Sequence, residues 1–321
     1  MCQHQFRDNS LCPLPEHANG LCFWHDPKAD KTTPDVKARL EELARNGAKL
    51  EGFILTRADL QNINLVQHGV KGGYSLCHGD LYRADLRGAH LFHIDLSGTS
   101  LMKADCRDAN LHFANLSGCN LLGARFDHAK IENIEWGKAL LQEEKGFEYA
   151  RAGDKNNALD QFEQAEEICR NLRKVSERQG LFELAGKFFY EEMQMRRYQM
   201  PELSFQRFIS KLVDVFCGYG EKPLRVIVFS LALIALCALL FFVLGVQGQD
   251  HFIRLDFNDS LYLNIEDLLR SFYMSVVTFT TLGYGDITPV GWSKIVAAFE
   301  AFTGSFTLAL FVVVFVKKMT R

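Results

Sequence analysis

Residues 79–133 read GDLYR ADLRG AHLFH IDLSG TSLMK ADCRD ANLHF ANLSG CNLLG ARFDH AKIEN, pentapeptides whose third residue is Leu, Cys, Phe or Ile and whose first is small or apolar. Neither the period of about 3.6 of a helix nor the period of two of a strand accounts for a strict period of five. The chain must therefore turn at every repeat. With two side chains in each five pointing inward, four repeats make one square coil of twenty residues. Stacked coils then bury columns such as Leu81, Leu101 and Leu121.

Upstream, AKLEG FILTR ADLQN INLVQ HGVKG occupies 48–72, one residue is inserted near Gly73, and YSLCH follows. This makes seventeen repeats, with Leu50, Leu55, Leu60, Leu65, Val70 and Leu76 continuing the central position. The pattern A(D/N)Lxx resembles the pentapeptide-repeat family, which implies a right-handed quadrilateral β-helix for residues 48–135. Some members of that family mimic DNA through an acidic surface. Here nine acidic residues face nine basic ones between 48 and 133, which argues against mimicry. Cys106 and Cys119 fall at inward positions and read as core fillers. His78, His90, His93, His112 and His128 mostly point outward into solvent.

The whole chain has 321 residues, 36 Lys plus Arg against 39 Asp plus Glu, and 48% hydrophobic composition, enough for two or three domains and too apolar for a disordered chain. A net charge of -3 gives no global electrostatic case for nucleic-acid binding. The average conceals segregation. Residues 226–246 and 301–316 carry no charge, whereas residues 137–200 carry 23 charged side chains. Nine scattered cysteines suit a reducing compartment. The first twenty residues hold no apolar run that could serve as a secretory signal, so the N-terminal part is expected in the cytoplasm.

Residues 1–30 contain Cys2, Cys12, Cys22 and His25, with Pro13, Pro15 and Gly20 as turns. So short a piece cannot fold on its own core. Three thiolates and an imidazole are a donor set for tetrahedral Zn2+, and the Cys22-x2-His25 pair fits one turn around a metal. His4 and His17 are the alternatives to His25. Residues 31–47 read as a capping helix with Thr33 as cap, Pro34 in its first turn, Val36, Leu40 and Leu43 on one face, and an exit at Asn46-Gly47. It is expected to cover the open end of the coils.

Residues 136–201 read as three or more helices. Gly146, Tyr149, Ala158, Phe162 and Ala165 resemble the spacing of a tetratricopeptide hairpin, with Gly153-Asp154 at its turn and a degenerate second unit from about Leu172 to Tyr198. Packing and spacing are the expected role. Within 202–220, Phe205, Phe208, Ile209, Leu212, Val213 and Phe216 form one face of an amphipathic helix, opposite Arg207, Ser210, Lys211 and Asp214, ending at Gly218 and Gly220. Its place before an apolar span suits a membrane surface.

Residues 221–321 form the membrane part. Spans at 224–246 and 293–316 are long enough for a hydrocarbon core of about 30 Å. Lys222 and Arg225 at one outer end and Lys317, Lys318 and Arg321 at the other place both termini in the cytoplasm. Between them, Asn264 and Asp267 suggest the start of a re-entrant helix over 265–280. Immediately after it comes Thr280-Thr281-Leu282-Gly283-Tyr284-Gly285-Asp286. Non-helical backbone at membrane depth is tolerated only where it lines a cavity or is buried by protein. Gly283 and Gly285 can take left-handed dihedrals, so successive carbonyls, with the Thr281 hydroxyl, can replace the water shell of a cation. One strand supplies one side of each coordination ring, so several chains must share an axis.

This stretch and its setting closely resemble the two-transmembrane potassium channels. The resemblance implies a homotetramer with K+ sites lined by Thr281, Leu282, Gly283 and Tyr284, and an outer mouth finished by Gly285 and Asp286, making 281–286 the selectivity filter. Tyr284 favours potassium over sodium-passing filters. Val277 stands where some channels carry a Glu paired with the equivalent of Asp286. Phe272, Tyr273 and Phe279 read as packing. Glu300, the one ionisable group in its span, either faces the pore cavity or bonds to the back of the pore helix. Gly304 resembles the hinge glycine of inner helices, with close packing against the first span as its other reading.

The expectation is a multidomain membrane protein: a right-handed quadrilateral pentapeptide-repeat β-helix, α-helical hairpins and an all-α two-transmembrane pore module with a re-entrant pore helix. Its function would be passive K+ conduction in a bacterial inner membrane, gated by the cytoplasmic domains. The alternatives are a weakly selective cation channel and a membrane-tethered scaffold. No nucleophile–base pair, phosphate loop or paired carboxylates suggest an enzyme, and the ligand of the cytoplasmic part stays open.

Overall fold

The computed structural model describes every residue except His68, Val70, Lys71, Asp250, Asn258, Asp259, Thr320 and Arg321, and the side chain of Met319. The chain folds as two units, Met1–Arg207 and Phe208–Arg321.

In the first unit the pentapeptides form the expected coils. Parallel bridges join residues twenty apart, Asp80 to Ser100, Asp85 to Asp105, His90 to Asn110 and Asp95 to Asn115, and each continues to the next coil. Between the first two coils the register differs: Ile54 pairs with Asp80, Asp59 with Asp85 and Asn64 with His90. The insertion before Tyr74 is therefore six residues rather than one. The faces run from 48 to 67 and from 74 to 133, sixteen pentapeptides in four coils instead of seventeen. Val70, expected at a central position, lies outside the described residues.

The local chemistry explains the repeat. Its fifth residue sits in the left-handed region, with φ of 58° at Arg57, 54° at His78, 56° at Arg83, 59° at Lys103 and 59° at His128. Each such corner costs an L-residue about 1–2 kcal/mol. The second residue offsets it by accepting from the N–H two residues on, as Asp80 does from Tyr82 (2.9 Å), Asp95 from Ser97 (3.0 Å) and Asn115 from Ser117 (3.0 Å). The first and third residues are left to fill the core, where Leu81, Leu101, Leu121, Ala84, Ala104 and Ala124 are buried. Cys106 and Cys119 are core residues as expected, and burial pushes the Cys119 thiol up to about 12.

Both ends of the coil stack are covered. Helix α1 (Asp35–Arg45) lies over the first coil through Val36 and Leu40; Lys37 Nζ donates to Gln61 O at 2.9 Å and Asn64 N to Glu41 Oε1 at 2.8 Å. Pro34 occupies its cap position and no side chain caps it, so Thr33 does not play the expected part. The N-terminal segment completes this cover. Trp24 stacks on Phe53 with ring centroids 5.3 Å apart, and Ile54 N donates to Trp24 O at 2.8 Å.

At the other end stand α2 (Leu141–Arg151), α3 (Lys155–Arg178) and α4 (Phe182–Gln199). Helices α2 and α3 form the expected hairpin, with Asp154 capping α3 through Asn157 N and Gly146 seating the Phe162 ring. The second hairpin is not as expected: Leu172 continues α3, and only α4 is added. The reason is that α3 carries a second apolar run, Ile168, Cys169, Leu172 and Val175, which shares a core with Trp136 and the last coil. Asn171 Nδ2 donates to Ala124 O at 2.8 Å and Gln179 Nε2 to Ala129 O at 2.7 Å. Buried Glu192 accepts from Arg170 (3.2 Å) and Arg173 (2.8 Å), fixing α4 on α3.

Helix α5 (Phe205–Cys217), all but its first three residues in the second unit, ends where Gly218, Tyr219 and Gly220 all take positive φ. Its apolar face is exposed at Phe208, Ile209, Leu212 and Val213. Asp214, on the face opposite the apolar one, is buried and bonded to Arg225 Nη1 at 2.7 Å. Helices α6 (Pro223–Leu244) and α8 (Ser293–Met319) are long and apolar enough to cross a membrane. The first ends two residues earlier than expected, because Gly245 takes φ 90° and Val246–Gln247 forms β1. That strand pairs antiparallel with both β2 (Phe252–Ile253) and β3 (Thr288–Pro289). Helix α7 (Leu261–Phe279) packs against both α6 and α8, which also pack on each other. It begins four residues before the expected 265, because Ser260 rather than Asn264 is the cap; the Asn264 amide bonds Asp256 O instead, at 2.8 Å.

Candidate functional site

At the C-terminus of α7, Thr280 N donates to Val276 O, Thr281 N to Thr278 O and Leu282 N to Val277 O, all at 3.0 Å. These bonds use up the last turn. The backbone beyond leaves the helix with φ of 57° at Thr281, 56° at Gly283 and 78° at Gly285. Both glycines thus take the conformation their lack of a Cβ permits, and Thr281 shares it at a steric cost. The Thr281 hydroxyl donates to Thr280 O at 2.7 Å. Leu282 and Tyr284 are 59% and 68% exposed, large apolar surface without cover in one chain.

The Tyr273 phenol lies near the Asp286 carboxyl, so Tyr273 has a polar neighbour as well as packing. Tyr273 lies one helical turn before the buried Val277. The i, i+4 spacing on one helix face was the available sequence signal for it.

Behind α7, Glu300 is fully buried, which excludes the cavity-facing reading within the chain. Its Oε1 meets the hydroxyl of Ser275 on α7, and that hydroxyl also reaches Ile234 O of α6 at 2.8 Å. Oε2 has no hydrogen-bond partner among the described residues. One turn on, a Cβ at Gly304 would overlap the Phe279 carbonyl. Gly304 therefore packs closely against the C-terminal end of α7. At the far end of the pair, Lys317 Nζ of α8 bonds Glu221 just ahead of α6, at 2.5 Å.

In the first unit, Cys2, Cys12, Cys22 and His25 converge, each buried, with their donor atoms all within 4.8 Å of one another. His25 Nδ1 lies 3.1 Å from Cys22 Sγ and 3.5 Å from Cys2 Sγ, and Cys12 Sγ is 4.0 Å from Cys22 Sγ. Burial pushes the His25 imidazole down to about 4, keeping it neutral, and Nε2 bonds the Glu51 carbonyl at 3.0 Å. The bare Nδ1 is thus turned to the thiols, the arrangement of a ligating histidine with an outer-shell partner. Of the alternatives, His4 stacks on His25 at 3.7 Å and His17 bonds Asp26 at 3.2 Å. Neither joins the cluster, which can hold a metal ion.

Comparison with known proteins bears on both units. Residues 229–321 match a family model described as ion channel. A second family model, described as pentapeptide repeats (8 copies), matches at residues 80–112 and again at 104–134. A curated relative, the human potassium channel subfamily T member 1, is 45% identical over 65 residues, 20% of this chain. The chain spans 5% of that relative's length. Among solved structures, HetL, a pentapeptide repeat protein involved in heterocyst differentiation regulation in Nostoc sp., is 27% identical over 27% of this chain and 37% of its own, with a TM-score of 0.14. Rfr23, a pentapeptide repeat protein of Cyanothece, is 21% identical over 31% of this chain and 92% of its own, with a TM-score of 0.17. Neither family model reaches residues 136–201, the tetratricopeptide-like part.

Proposed function

We propose that this chain, which joins pentapeptide repeats to an ion-channel domain of the potassium-channel type, is one subunit of a homotetrameric K+-selective channel. The observation that carries the reading is the segment Thr281–Asp286, leaving the helix through alternate left-handed residues with its large side chains uncovered. Around a shared axis, four such segments bury Leu282 and Tyr284 against neighbours and aim carbonyls at dehydrated K+. Thr281, Leu282, Gly283 and Tyr284 line the ion sites, and Gly285 and Asp286 form the mouth. Conduction is passive, down the electrochemical gradient.

The chain sits in a bacterial plasma membrane with α6 and α8 as its spans and both termini cytoplasmic. Lys222, Arg225, Lys317 and Lys318 at their shared end support that orientation. Helix α5 lies on the membrane surface with its apolar face in lipid. The Cys2, Cys12, Cys22 and His25 cluster holds Zn2+ as a structural centre, since three thiols and a neutral imidazole make a closed tetrahedral set. The first unit sets the channel's open probability.

Ion flux tests the reading. Purified full-length protein in liposomes is expected to pass Rb+ and K+ but exclude Na+, and to migrate as four chains. Equal Na+ passage means a weakly selective cation channel, and no flux means a scaffold.

A further inference from the structure

We propose that Glu300 is held as a neutral carboxylic acid that clamps α8 onto the pore helix α7, and that its ionisation releases the clamp and shuts ion flow. The argument begins with counting protons. Three oxygens stand in a row: Glu300 Oε1, Ser275 Oγ and Ile234 O, with a polar contact in each gap. Two contacts between oxygens need two protons. Ser275 supplies one, and the Ile234 carbonyl supplies none. The second therefore sits on Glu300, which donates to Ser275, which donates to Ile234.

The surroundings agree. Glu300 and Ser275 are both fully buried, and no charged group faces the carboxyl from α6 or α7 among the described residues. Among the described residues the one titratable neighbour is the Cys237 thiol of α6, and α7 offers the Ser275 hydroxyl. An ionised carboxylate without a cation is disfavoured in so apolar a setting, whereas a neutral acid is not. The relay joins all three helices: α8 through Glu300, α7 through Ser275, α6 through Ile234. With Gly304 seated on Phe279 one turn later, α8 grips α7 at two successive turns directly behind the filter segment. When hydroxide takes the Glu300 proton, the single Ser275 proton can serve the carboxylate or Ile234 but not both, and the relay breaks at one joint. Glu300 is thus a positioning residue: it acts on ions only through the pore helix.

The flux readout of this proposal rests on the channel reading, while its proton readout does not. The experiment uses full-length protein in liposomes, with infrared difference spectra recorded on raising the pH and Rb+ efflux measured in parallel. A protonated-carboxyl band is expected in the wild type, absent in Glu300→Gln and displaced in Ser275→Ala, which removes the acceptor without touching the acid. Efflux is expected to fall roughly fivefold or more from neutral to alkaline pH in the wild type, the lower end of ordinary coupling between sites, and to lose that dependence in Glu300→Gln. A wild-type spectrum with no band that Glu300→Gln removes overturns the proposal, as does an equal alkaline fall in both proteins. A band that behaves as expected in proteins that pass no Rb+ upholds the proton placement and sinks the channel reading instead.

Discussion

The His25 ring bridges two parts of the first unit: Nε2 bonds the backbone carbonyl of Glu51 at 3.0 Å, while Nδ1 faces Cys22 Sγ at 3.1 Å. Glu51 belongs to the first pentapeptide coil, so the cluster ties residues 1–30 to the coil stack. One Zn2+ per chain is expected by elemental analysis. Cys22→Ser should lose it and expose Trp24, read as a red shift in tryptophan emission; unchanged metal content in that variant would refute the assignment.

Leu81, Leu101 and Leu121 are buried together in one core. Leu101→Ala leaves a hole between two coils that cannot collapse without breaking the ladder, so a loss of about 2–5 kcal/mol is expected. Chemical denaturation of the wild type and variant measures it.

Acid should weaken the coil stack through Asp85 and Asp105. Hydrogen bonds from the guanidinium groups of Arg87 and Arg107 hold these carboxyls below 3.8, their value in an open chain. The unfolded state then binds more protons as the pH drops, so this stabilisation is present above 3.8 and is lost as the pH falls through the lower native values. Melting curves of Asp85→Asn should fall less steeply on the acid side than those of the wild type. Identical acid slopes would show that these pairs contribute nothing.

Gly283→Ala places a Cβ on a residue with φ 56°, at a cost of about 1–2 kcal/mol at each copy. Among the described residues nothing comes within 4 Å of that Cβ, so the protein should still fold and insert. Rb+ efflux, in contrast, should drop to background. Efflux equal to the wild type would remove the segment from the conduction path.

Much of this architecture could be read from the residues because its causes are local. A period of five, an Asp or Asn ahead of each Leu, and a glycine-interrupted segment after an apolar helix each act within a few positions. What escaped was non-local. The insertion before Tyr74 looked like one residue because HGVKG mimics a repeat, and only pairing with the next coil shows that it lies off-register. Leu172 looked like the start of a new hairpin, yet its partners are Trp136 and the last coil, far away in sequence. Of the candidate sites, the Cys/His set was legible from its donor chemistry and from the Cys22-x2-His25 spacing, which picked His25 ahead of His4 and His17. Glu300 could be found as a lone ionisable residue, but nothing nearby in sequence pointed to Ser275 or Ile234.

The occupied carbonyls and N–H groups at the two outermost rungs carry a further consequence. A bare rung is a template on which a second molecule's strands can grow into a fibre. Here Trp24, Lys37 and Glu41 take up one terminal rung, and Asn171 and Gln179 the other. The stack is blunted at both faces against end-to-end polymerisation of one coil stack on another.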